Sequence, residues 1–454
     1  MTDKTNALDA AALAYHRADP PGKLEIRATK PLSTQRDLSL AYSPGVAAPC
    51  LAIAEDPVTA LDYTARGNVV AVITNGTAVL GLGPIGPLAS KPVMEGKAVL
   101  FKKFANIDSL DIEVDETDPE KFVEIVGALE PSFGGINLED IRGPDCFFIE
   151  EALQAKMDIP VFHDDQHGSA IIVAAAVQNG LRINGKSLAD MRIVTAGAGA
   201  AALSTLNLLL LLGAKLENII VTDIDGVVHT GRTEGMDRWK AKFARETPLR
   251  TLSEAIEGAD IFLGLSAAGV LKQDMVAKMA PKPMVLALAN PTPEIMPELV
   301  KEVRSDALIC TGRSDYPNQV NNVLCFPYLF RGALDVGARA INREMMLAAV
   351  EAIASLARER PSEEVARAYG GVAAPFGPDY LIPAPFDPRL ILRIAPAVAK
   401  AAEATGVALR PIADMDAYVD RLTRFVFRSG SIMKPLFASA SAASDTRVVY
   451  ADGE

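Results

Sequence analysis

Four acidic residues follow two apolar runs and could together hold a divalent cation. Glu139 and Asp140 lie in GGINLEDI, and Asp164 and Asp165 follow IPVFH. In a parallel sheet both runs would end at the same carboxyl edge, where α/β proteins place their ligands. Carboxylates are hard oxygen ligands, which suit Mg²⁺ or Mn²⁺. A network of ion pairs without a metal is the alternative that the spacing leaves open.

A glycine-rich turn predicts a second site, for a dinucleotide. Gly197, Gly199 and Ala202 form a G-x-G-x-x-A pattern between the strand RIVTA and a helix. Such glycines permit a tight turn and bring a pyrophosphate close to the helix N-terminus. Tight packing of the helix on the sheet would explain the small residues without a ligand. The residues expected to bind the dinucleotide here are Gly197, Ala198, Gly199, Ala200, Ala201 and Ala202.

Asp223 ends the next predicted strand, where an acid commonly binds the adenosine ribose hydroxyls. Asp223 and Asp225 have no Lys or Arg next to them in the sequence. Two carboxylates would repel the 2′-phosphate of NADP, so electrostatics favours NAD at this strand end.

Lys97 and Tyr42 are candidates for moving protons. Lys97, in EGKAVLFKKFANI, is predicted to lie in the first turn of a helix at the cleft between two domains. Burial and a nearby divalent cation would lower its pKa and make it a base. Tyr42 lies on the Pro-Gly turn of AYSPGVA. The spacing equally allows a solvated lysine and a structural tyrosine.

Other reactive motifs fit less well. His163 and His167 have the spacing of zinc proteases, but the glutamate after the first histidine is missing, and the predicted boundary between strand and helix falls between them. GLSAAG departs from the G-x-S-x-G pattern of serine hydrolases by one position. The four cysteines lack C-x-x-C spacing and are predicted to be reduced thiols, mostly in the core.

The composition defines which proteins can carry these sites. The chain has 454 residues, 49% hydrophobic and 22% charged, which is typical of a soluble globular protein of two or three domains. Its net charge of −12 disfavours nucleic acid and anionic membranes as partners. The acidic N-terminal segment does not resemble a secretory signal, so a cytoplasmic location is expected.

The order of the elements predicts an α/β fold. From Met191 onward, short apolar strands alternate with helices, which indicates a doubly wound parallel sheet. Earlier, Asn75-Gly76 between two β-rich runs predicts a hairpin. The segment after Phe326 reads as helices around a Pro-rich loop, residues 371–388. The Ala/Ser stretch from Ala438 to Ser444 reads as a linker, and TRVVYADGE as the first strand of a further domain.

The segments AYSPGVA, GKAVLFKKFA, GGINLEDI, FHDDQHGSAI and LANPTPE together resemble the malic enzyme family over nearly the whole chain. The likeness is to bacterial NADP-dependent members that carry a phosphotransacetylase-like domain after the catalytic part. It implies oxidative decarboxylation of malate to pyruvate and CO₂, with NADP or NAD and with Mg²⁺ or Mn²⁺, and decarboxylation of oxaloacetate. A homodimer or higher homo-oligomer is also implied. On NADP against NAD, we follow the resemblance rather than the electrostatics of Asp223.

The resemblance further implies a domain order and a set of roles. We expect an N-terminal α/β malic domain over 1–165, a Rossmann-type dinucleotide domain over 166–395, and C-terminal helices with a linker over 396–454. Where animal members have an arginine for the substrate carboxylate, this sequence has Ala78. The implied roles are Tyr42 as general acid, Lys97 as general base, Asp164 as a supporting catalytic carboxylate, Glu139, Asp140 and Asp165 as metal ligands, and Asn290 and Asn322 as contacts to substrate and nicotinamide.

Two rival functions remain open from the residues alone. A hydroxy-acid or amino-acid dehydrogenase would use the same dinucleotide turn without decarboxylation, but hydride transfer alone does not need a metal-binding group of acids. A non-catalytic dinucleotide sensor would bind NADP(H) and show no turnover of malate with Mn²⁺.

Overall fold

The computed structural model describes residues 2–360 and 375–426. Its first sheet is parallel and has the strand order β2-β1-β3-β4. Each strand is short, and β1, β3 and β4 are almost fully buried, as expected where helices cover both faces of a parallel sheet. The strands are β1 (Val69–Thr74), β2 (Asp108–Glu113), β3 (Gly135–Leu138) and β4 (Val161–His163).

The hairpin predicted around Asn75-Gly76 is wrong. Both edges of β1 are paired with parallel strands, β2 and β3, so no edge is left for a hairpin partner. The chain after Gly76 forms a loop that returns to Gly76, whose carbonyl accepts a hydrogen bond from Gly86 N at 3.0 Å. Within this loop Val79 makes a single bridge to Gly83.

The second sheet confirms the predicted doubly wound arrangement. Its order is β10-β9-β8-β5-β6-β7, and all pairs are parallel except β6 with β7. Because β6 follows β5 on one side and β8 lies on the other, the carboxyl ends of β5 and β8 form the topological switch point where such folds bind ligands. The strands are β5 (Ile193–Ala196), β6 (Ile219–Asp223), β7 (Gly226–Val227), β8 (Ile261–Gly264), β9 (Met284–Ala287) and β10 (Leu308–Thr311).

Helices connect the strands and cover both sheets. In chain order they are α1 (Thr2–Arg17), α2 (Gln35–Ala41), α3 (Ala47–Glu55), α4 (Ala60–Tyr63), α5 (Pro87–Ala105), α6 (Pro119–Gly127), α7 (Asp145–Lys156), α8 (Asp164–Asn184), α9 (Ala200–Leu211), α10 (Arg238–Ala241), α11 (Leu252–Ala255), α12 (Gln273–Ala277), α13 (Pro297–Val303), α14 (Phe326–Asp335), α15 (Arg343–Arg358), α16 (Arg389–Ala404) and α17 (Met415–Val426). The expected boundary between the second and third domains, at residues 395 and 396, lies inside helix α16.

Helix α8 joins the two sheets through the middle of the molecule. It begins with Asp164 and Asp165, whose charges favour a helix N-terminus, and ends before Gly185 in the left-handed conformation. Its centre, IIVAAAV, is buried and packs against α9 and α15. A helix that is apolar on every side is expected inside a large core. The acid pair is therefore attached to one of the best-buried elements of the fold.

The N-terminal segment has the opposite character. Helices α2, α3 and α4 contain no buried side chain, although α3 has the apolar sequence AAPCLAIAE. Three cysteines, Cys146, Cys310 and Cys325, are buried as predicted, whereas Cys50 in α3 is exposed. The predicted linker at 438–444 and strand at 446–454 lie outside the described residues, as does the start of the Pro-rich loop. No helix in the described ranges has the length and apolar character needed to cross a membrane.

Candidate active site

The two acid pairs meet at the carboxyl edge of the first sheet, as the sequence predicts. Strand β3 pairs with β4 so that Leu138 lies beside His163, and each acid pair follows directly. The backbone N–H of Asp140 donates to Asp165 Oδ2 at 2.8 Å, and Leu80 N–H donates to Asp140 Oδ1 at 3.3 Å. The order of the strands thus brings four carboxylates to one place.

Lys97 enters this cluster from α5. Its side chain is only 7% exposed, and its Nζ lies 2.5 Å from Asp164 Oδ2 and 2.8 Å from Glu139 Oε1. The ring of Phe326 lies beneath the same nitrogen, 4.3 Å from Nζ to the centroid. The structure therefore joins Lys97 to both acid pairs and removes it from solvent.

The expected position of Lys97 in its helix is wrong. It lies in the interior of α5 rather than in its first turn, because the helix already begins at Pro87 and tolerates Pro92 inside. Burial disfavours the charged amine, but the carboxylates of Asp164 and Glu139 outweigh burial and raise its pKa. The expected lowering of the pKa depended on a nearby divalent cation as well as on burial. In this arrangement Lys97 carries a proton.

The carboxylates themselves are hard to ionise. Burial raises the pKa of Glu139 to about 7 and that of Asp164 to about 6, although Lys97 opposes both shifts. Burial together with the charges of Asp165 and Glu139 raises the pKa of Asp140 to about 8. Burial also raises the pKa of Asp165. The cluster would be stabilised by additional positive charge.

The donor set fits a hard divalent cation in its chemistry. The buried atoms Asp140 Oδ2 and Asp164 Oδ1 have no hydrogen-bond partner in the structure, so oxygen lone pairs are available. The side chains are not gathered around one point, since Glu139 contacts Lys97, and no group of three or more such ligands is preformed among the described residues. In this arrangement Glu139 is engaged by Lys97.

A buried glutamate next to the cluster, Glu150, was not identified from the sequence. Glu150 in α7 accepts the backbone N–H of His163 and contacts His167 Nε2, both at 2.8 Å. Burial opposes ionisation of Glu150, but the contact with His167 has the larger effect and lowers the pKa of Glu150. Burial also opposes protonation of His167, but Glu150 has the larger effect and raises the pKa of His167. Burial lowers the pKa of His163 to about 4. Glu150 thereby fixes the turn that carries Asp164 and Asp165, and the histidines do not share a metal-binding face.

The predicted substrate residue Asn322 lies beside the same turn. The Cβ of Asn322 is 3.1 Å from where a side chain on Gly168 would begin, and Asp164 Oδ1 is 1.9 Å from that point. A glycine is therefore required for this segment to approach the carboxylates. Phe326, which contacts Lys97, follows Asn322 on the same connection into α14.

The dinucleotide turn has the predicted form. Gly197 follows β5 directly and has a φ of +111°, which favours glycine. A Cβ atom at this position would lie 2.3 Å from the Leu265 carbonyl oxygen, so only glycine fits the close packing of the turn. Gly199 caps α9, and the space where its side chain would point is open. Since Gly199 offers no side-chain cap, the first amides of α9 are available to an anion such as a pyrophosphate. Ala202 is fully buried, as close packing at the third position of the motif requires.

Asn290 lies between the two sites. It follows β9 and is exposed, and its carbonyl oxygen is 3.2 Å from where a side chain on Gly81, in the loop of the first sheet, would begin. Glu294, another residue that the sequence interpretation missed, accepts the backbone N–H groups of Ser266 and Ala289 at 2.8 and 3.0 Å. It links the loops after β8 and β9 and so positions Asn290.

The surroundings of Asp223 differ from the expectation. No Lys or Arg is adjacent in sequence, but the segment after β7 brings two cations to its carboxylate, Arg232 from the loop and Lys240 from α10. Arg232 donates to both oxygens at 2.7 and 2.8 Å, and Lys240 Nζ donates to Oδ2 at 2.8 Å. The prediction of an acidic strand end without a compensating cation is wrong, because it considered neighbours in sequence alone.

Tyr42 is not part of the cluster within one chain. It caps the C-terminus of α2, its side chain is 71% exposed, and the structure records no side-chain hydrogen bond for it. Lys97 is almost fully enclosed by other groups. Of the proposed catalytic and metal-binding residues, the structure brings together Lys97, Glu139, Asp140, Asp164 and Asp165 and leaves Tyr42 on the surface.

Comparisons with known proteins show the family to which the chain belongs. The family model described as malic enzyme, N-terminal domain, matches residues 21–154, and that described as malic enzyme, NAD binding domain, matches residues 166–370. The chain is 56% identical over 90% of its length to an NADP-dependent malic enzyme of Halomonas elongata, covering 96% of that protein. A malic enzyme structure from Pyrococcus horikoshii is 40% identical, with a TM-score of 0.85 over 95% of this chain and 99% of that one.

Two longer relatives differ in the named cofactor. The chain is 67% identical over 98% of its length to a protein named NAD-dependent malic enzyme in Rhizobium meliloti. It is 64% identical over 98% of its length to one named NADP-dependent malic enzyme in Escherichia coli. It spans 58% and 59% of the length of these two proteins.

Proposed function

Because the chain belongs to the malic enzyme family, we propose that it catalyses the oxidative decarboxylation of malate to pyruvate and CO₂, with NADP or NAD as the electron acceptor. The observation that carries the proposal is the buried contact of Lys97 with Asp164 and Glu139, at the edge of one sheet and across Asn290 from the dinucleotide turn of the other. A dehydrogenase that did not use a metal would not need this group of buried acids.

In this proposal Glu139, Asp140 and Asp165 hold Mg²⁺ or Mn²⁺, and residues 197–202 hold the dinucleotide. A bound divalent cation supplies positive charge that opposes protonation of Lys97 and polarises the substrate oxygen, and the nicotinamide supplies the hydride acceptor. Asn290 and Asn322 orient malate between the two sites. The ring of Phe326, on the connection that follows Asn322, shields the amine of Lys97 from water.

The proton steps follow from the contacts of Lys97. It begins protonated, and Asp164 Oδ2, 2.5 Å from Nζ, is the group placed to receive that proton. The neutral amine then takes the proton from the malate hydroxyl. Loss of CO₂ leaves an enolate, and Tyr42 donates a proton to its carbon, which completes pyruvate. Oxaloacetate should be decarboxylated at the same site.

We propose further that the working protein is a homodimer or higher oligomer, with a second copy of the chain covering the N-terminal segment. Helix α3 is apolar but has no buried residue, which an isolated chain would not favour. Burying a large apolar side chain gains roughly 1.5 to 3 kcal/mol. Tyr42 lies on this surface, so the site is completed by the partner's tyrosine. The exposed side chains include Ile26, Leu32, Leu40, Tyr42, Leu51 and Tyr63.

The cytoplasm is the proposed location. Four free cysteines, one of them exposed, fit a reducing compartment.

An initial-rate assay tests the activity. Wild-type protein should convert malate with NADP or NAD in the presence of Mn²⁺ and lose activity in EDTA. Asp165→Asn keeps the shape but removes a charged ligand, so turnover should collapse even with excess Mn²⁺, while the dinucleotide still binds. Asp158→Asn, an exposed position before β4, is the matched control and should retain activity. Wild-type turnover that persists in EDTA would contradict the metal assignment.

A further inference from the structure

The side chain of Gln166 joins the turn of the second acid pair to the helix of the dinucleotide turn. Gln166 follows Asp165 directly in the first turn of α8 and is 2% exposed. Its Oε1 accepts a hydrogen bond from the hydroxyl of Ser204 in α9 at 3.2 Å. In the part of the chain that the structure describes, no other side-chain hydrogen bond connects residues 139–168 with α9. One buried contact therefore connects the two candidate sites.

Ser204 lies one helical turn after the expected pyrophosphate site. Helix α9 begins at Ala200, and residues four apart lie on the same face of a helix. A serine hydroxyl inside a helix often donates to the carbonyl four residues earlier. The buried hydroxyl of Ser204 donates to Gln166 instead. It therefore ties the start of α9 to α8 rather than to its own backbone.

The same glutamine also reaches α7. Its Nε2 donates to the carbonyl of Cys146, in the first turn of α7, at 3.5 Å. A Cβ atom on Gly143, in the loop before α7, would lie 3.9 Å from the backbone nitrogen of Ala200. The N-terminal ends of α7, α8 and α9 thus meet near this side chain, between largely apolar surfaces of α8 and α9. A buried polar pair in such surroundings fixes one arrangement of the helices, because any shift would leave polar groups unpaired.

We propose that Gln166 and Ser204 are positioning residues that couple the cation site to the dinucleotide site, so that each ligand binds more tightly when the other is bound. A dinucleotide on the first amides of α9 would hold Ser204, which holds Gln166 and the adjoining Asp165. The second ligand would then find part of the ordering already done. The coupling acts equally in both directions. The proposal rests on the proposed function, which assigns the cation to Asp165 and the dinucleotide to α9.

The test measures binding of Mn²⁺ by calorimetry with and without saturating NADPH or NADH, whichever the wild type binds more tightly. Malate and pyruvate are left out, so no turnover occurs. The ratio of the two Kd values for Mn²⁺ is the coupling factor. Gln166→Met keeps the length of the side chain but removes the acceptor, and Ser204→Ala removes the donor. Each should lower the coupling factor by about two- to tenfold, the equivalent of one net hydrogen bond. The double variant should lower it no further, because both substitutions remove the same bond.

A merely structural role predicts a different result. Loosened packing would weaken the binding of Mn²⁺ and of the dinucleotide separately and leave the coupling factor unchanged. Ser355→Ala is the control, because that hydroxyl donates to the carbonyl of Ala352 within α15, and it should keep the wild-type factor. The proposal is overturned if the wild type shows no coupling, if either single variant keeps the wild-type factor, or if the double variant shows the product of the two single effects. A wild type that binds neither Mn²⁺ nor a dinucleotide would instead contradict the proposed function.

Discussion

Pairing two inactive variants tests whether each active site is shared between chains. Tyr42→Phe removes the proposed proton donor, and Lys97→Ala removes the proposed base. Each variant alone should lose about 10²- to 10⁴-fold in malate turnover, the usual scale for one acid or base. Tyr42 is 71% exposed and Lys97 is 7% exposed, so one substitution changes the surface of a chain and the other its interior.

The expected recovery follows from the symmetry of a dimer. In a two-fold interface each copy gives the same residue to the other. A dimer of one Tyr42→Phe chain and one Lys97→Ala chain then has one site with both residues intact and one site with neither. Its activity should be about half that of the wild type, and a randomly reassorted mixture should show about one quarter. If Tyr42 acted within its own chain, both sites would lack one residue.

The assay needs the mixed dimer in pure form. Co-expression with two different affinity tags and purification on both gives a preparation in which every dimer contains one chain of each kind. A wild-type pair carrying the same two tags is the control for activity. Mixed dimers as inactive as their parents would refute the shared site, and a fully active Tyr42→Phe variant would refute the role of the tyrosine. A monomer in sedimentation would refute the interface.

Two further predictions concern the acid cluster. Lys97→Ala should slow malate oxidation by about 10²- to 10⁴-fold but affect oxaloacetate decarboxylation less, because Lys97 is the proposed base for the oxidation. Tyr42→Phe should instead slow the formation of pyruvate. Equal losses in every partial reaction would mean that neither residue moves its own proton. Because the pKa values of Glu139 and Asp140 rise from about 4 to about 7 and 8 on folding, the folded state binds more protons, and metal-free stability should fall as the pH rises through that window. Mn²⁺ should then raise the melting temperature more at pH 8 than at pH 6, and equal shifts would contradict this account.

The sequence predicted the parts of the site that depend on local pattern. Acid pairs directly after β3 and β4 and glycines directly after β5 had to lie at strand ends once those strands were identified. The hairpin failed because an Asn-Gly pair describes a local preference, while the parallel partners of β1 come from segments far along the chain. Local signals therefore locate strand ends better than they identify strand partners.

Contacts between distant side chains could not be predicted in this way. Arg232 and Lys240 are 9 and 17 positions from Asp223, and Glu150 is 17 positions from His167. None of these spacings corresponds to a turn of helix or a step of strand, so no periodic pattern marks them. Only the folded structure brings these residues together. The contacts of Arg232 and Lys240 reverse the electrostatic argument that was made for Asp223 from its neighbours in sequence.

The acid cluster shows why a site can be predicted while its charge state cannot. Lys97 offers one positive charge to four carboxylates, and burial raises the pKa of each of those acids. Buried charges of one sign are costly unless they are paired, so the folded chain must take up protons or a cation to compensate. The sequence contains the ligands but not their protonation, which depends on the depth of burial that α8 and its neighbours impose. The same excess of buried negative charge that weakens the metal-free fold is what would give a divalent cation its binding energy.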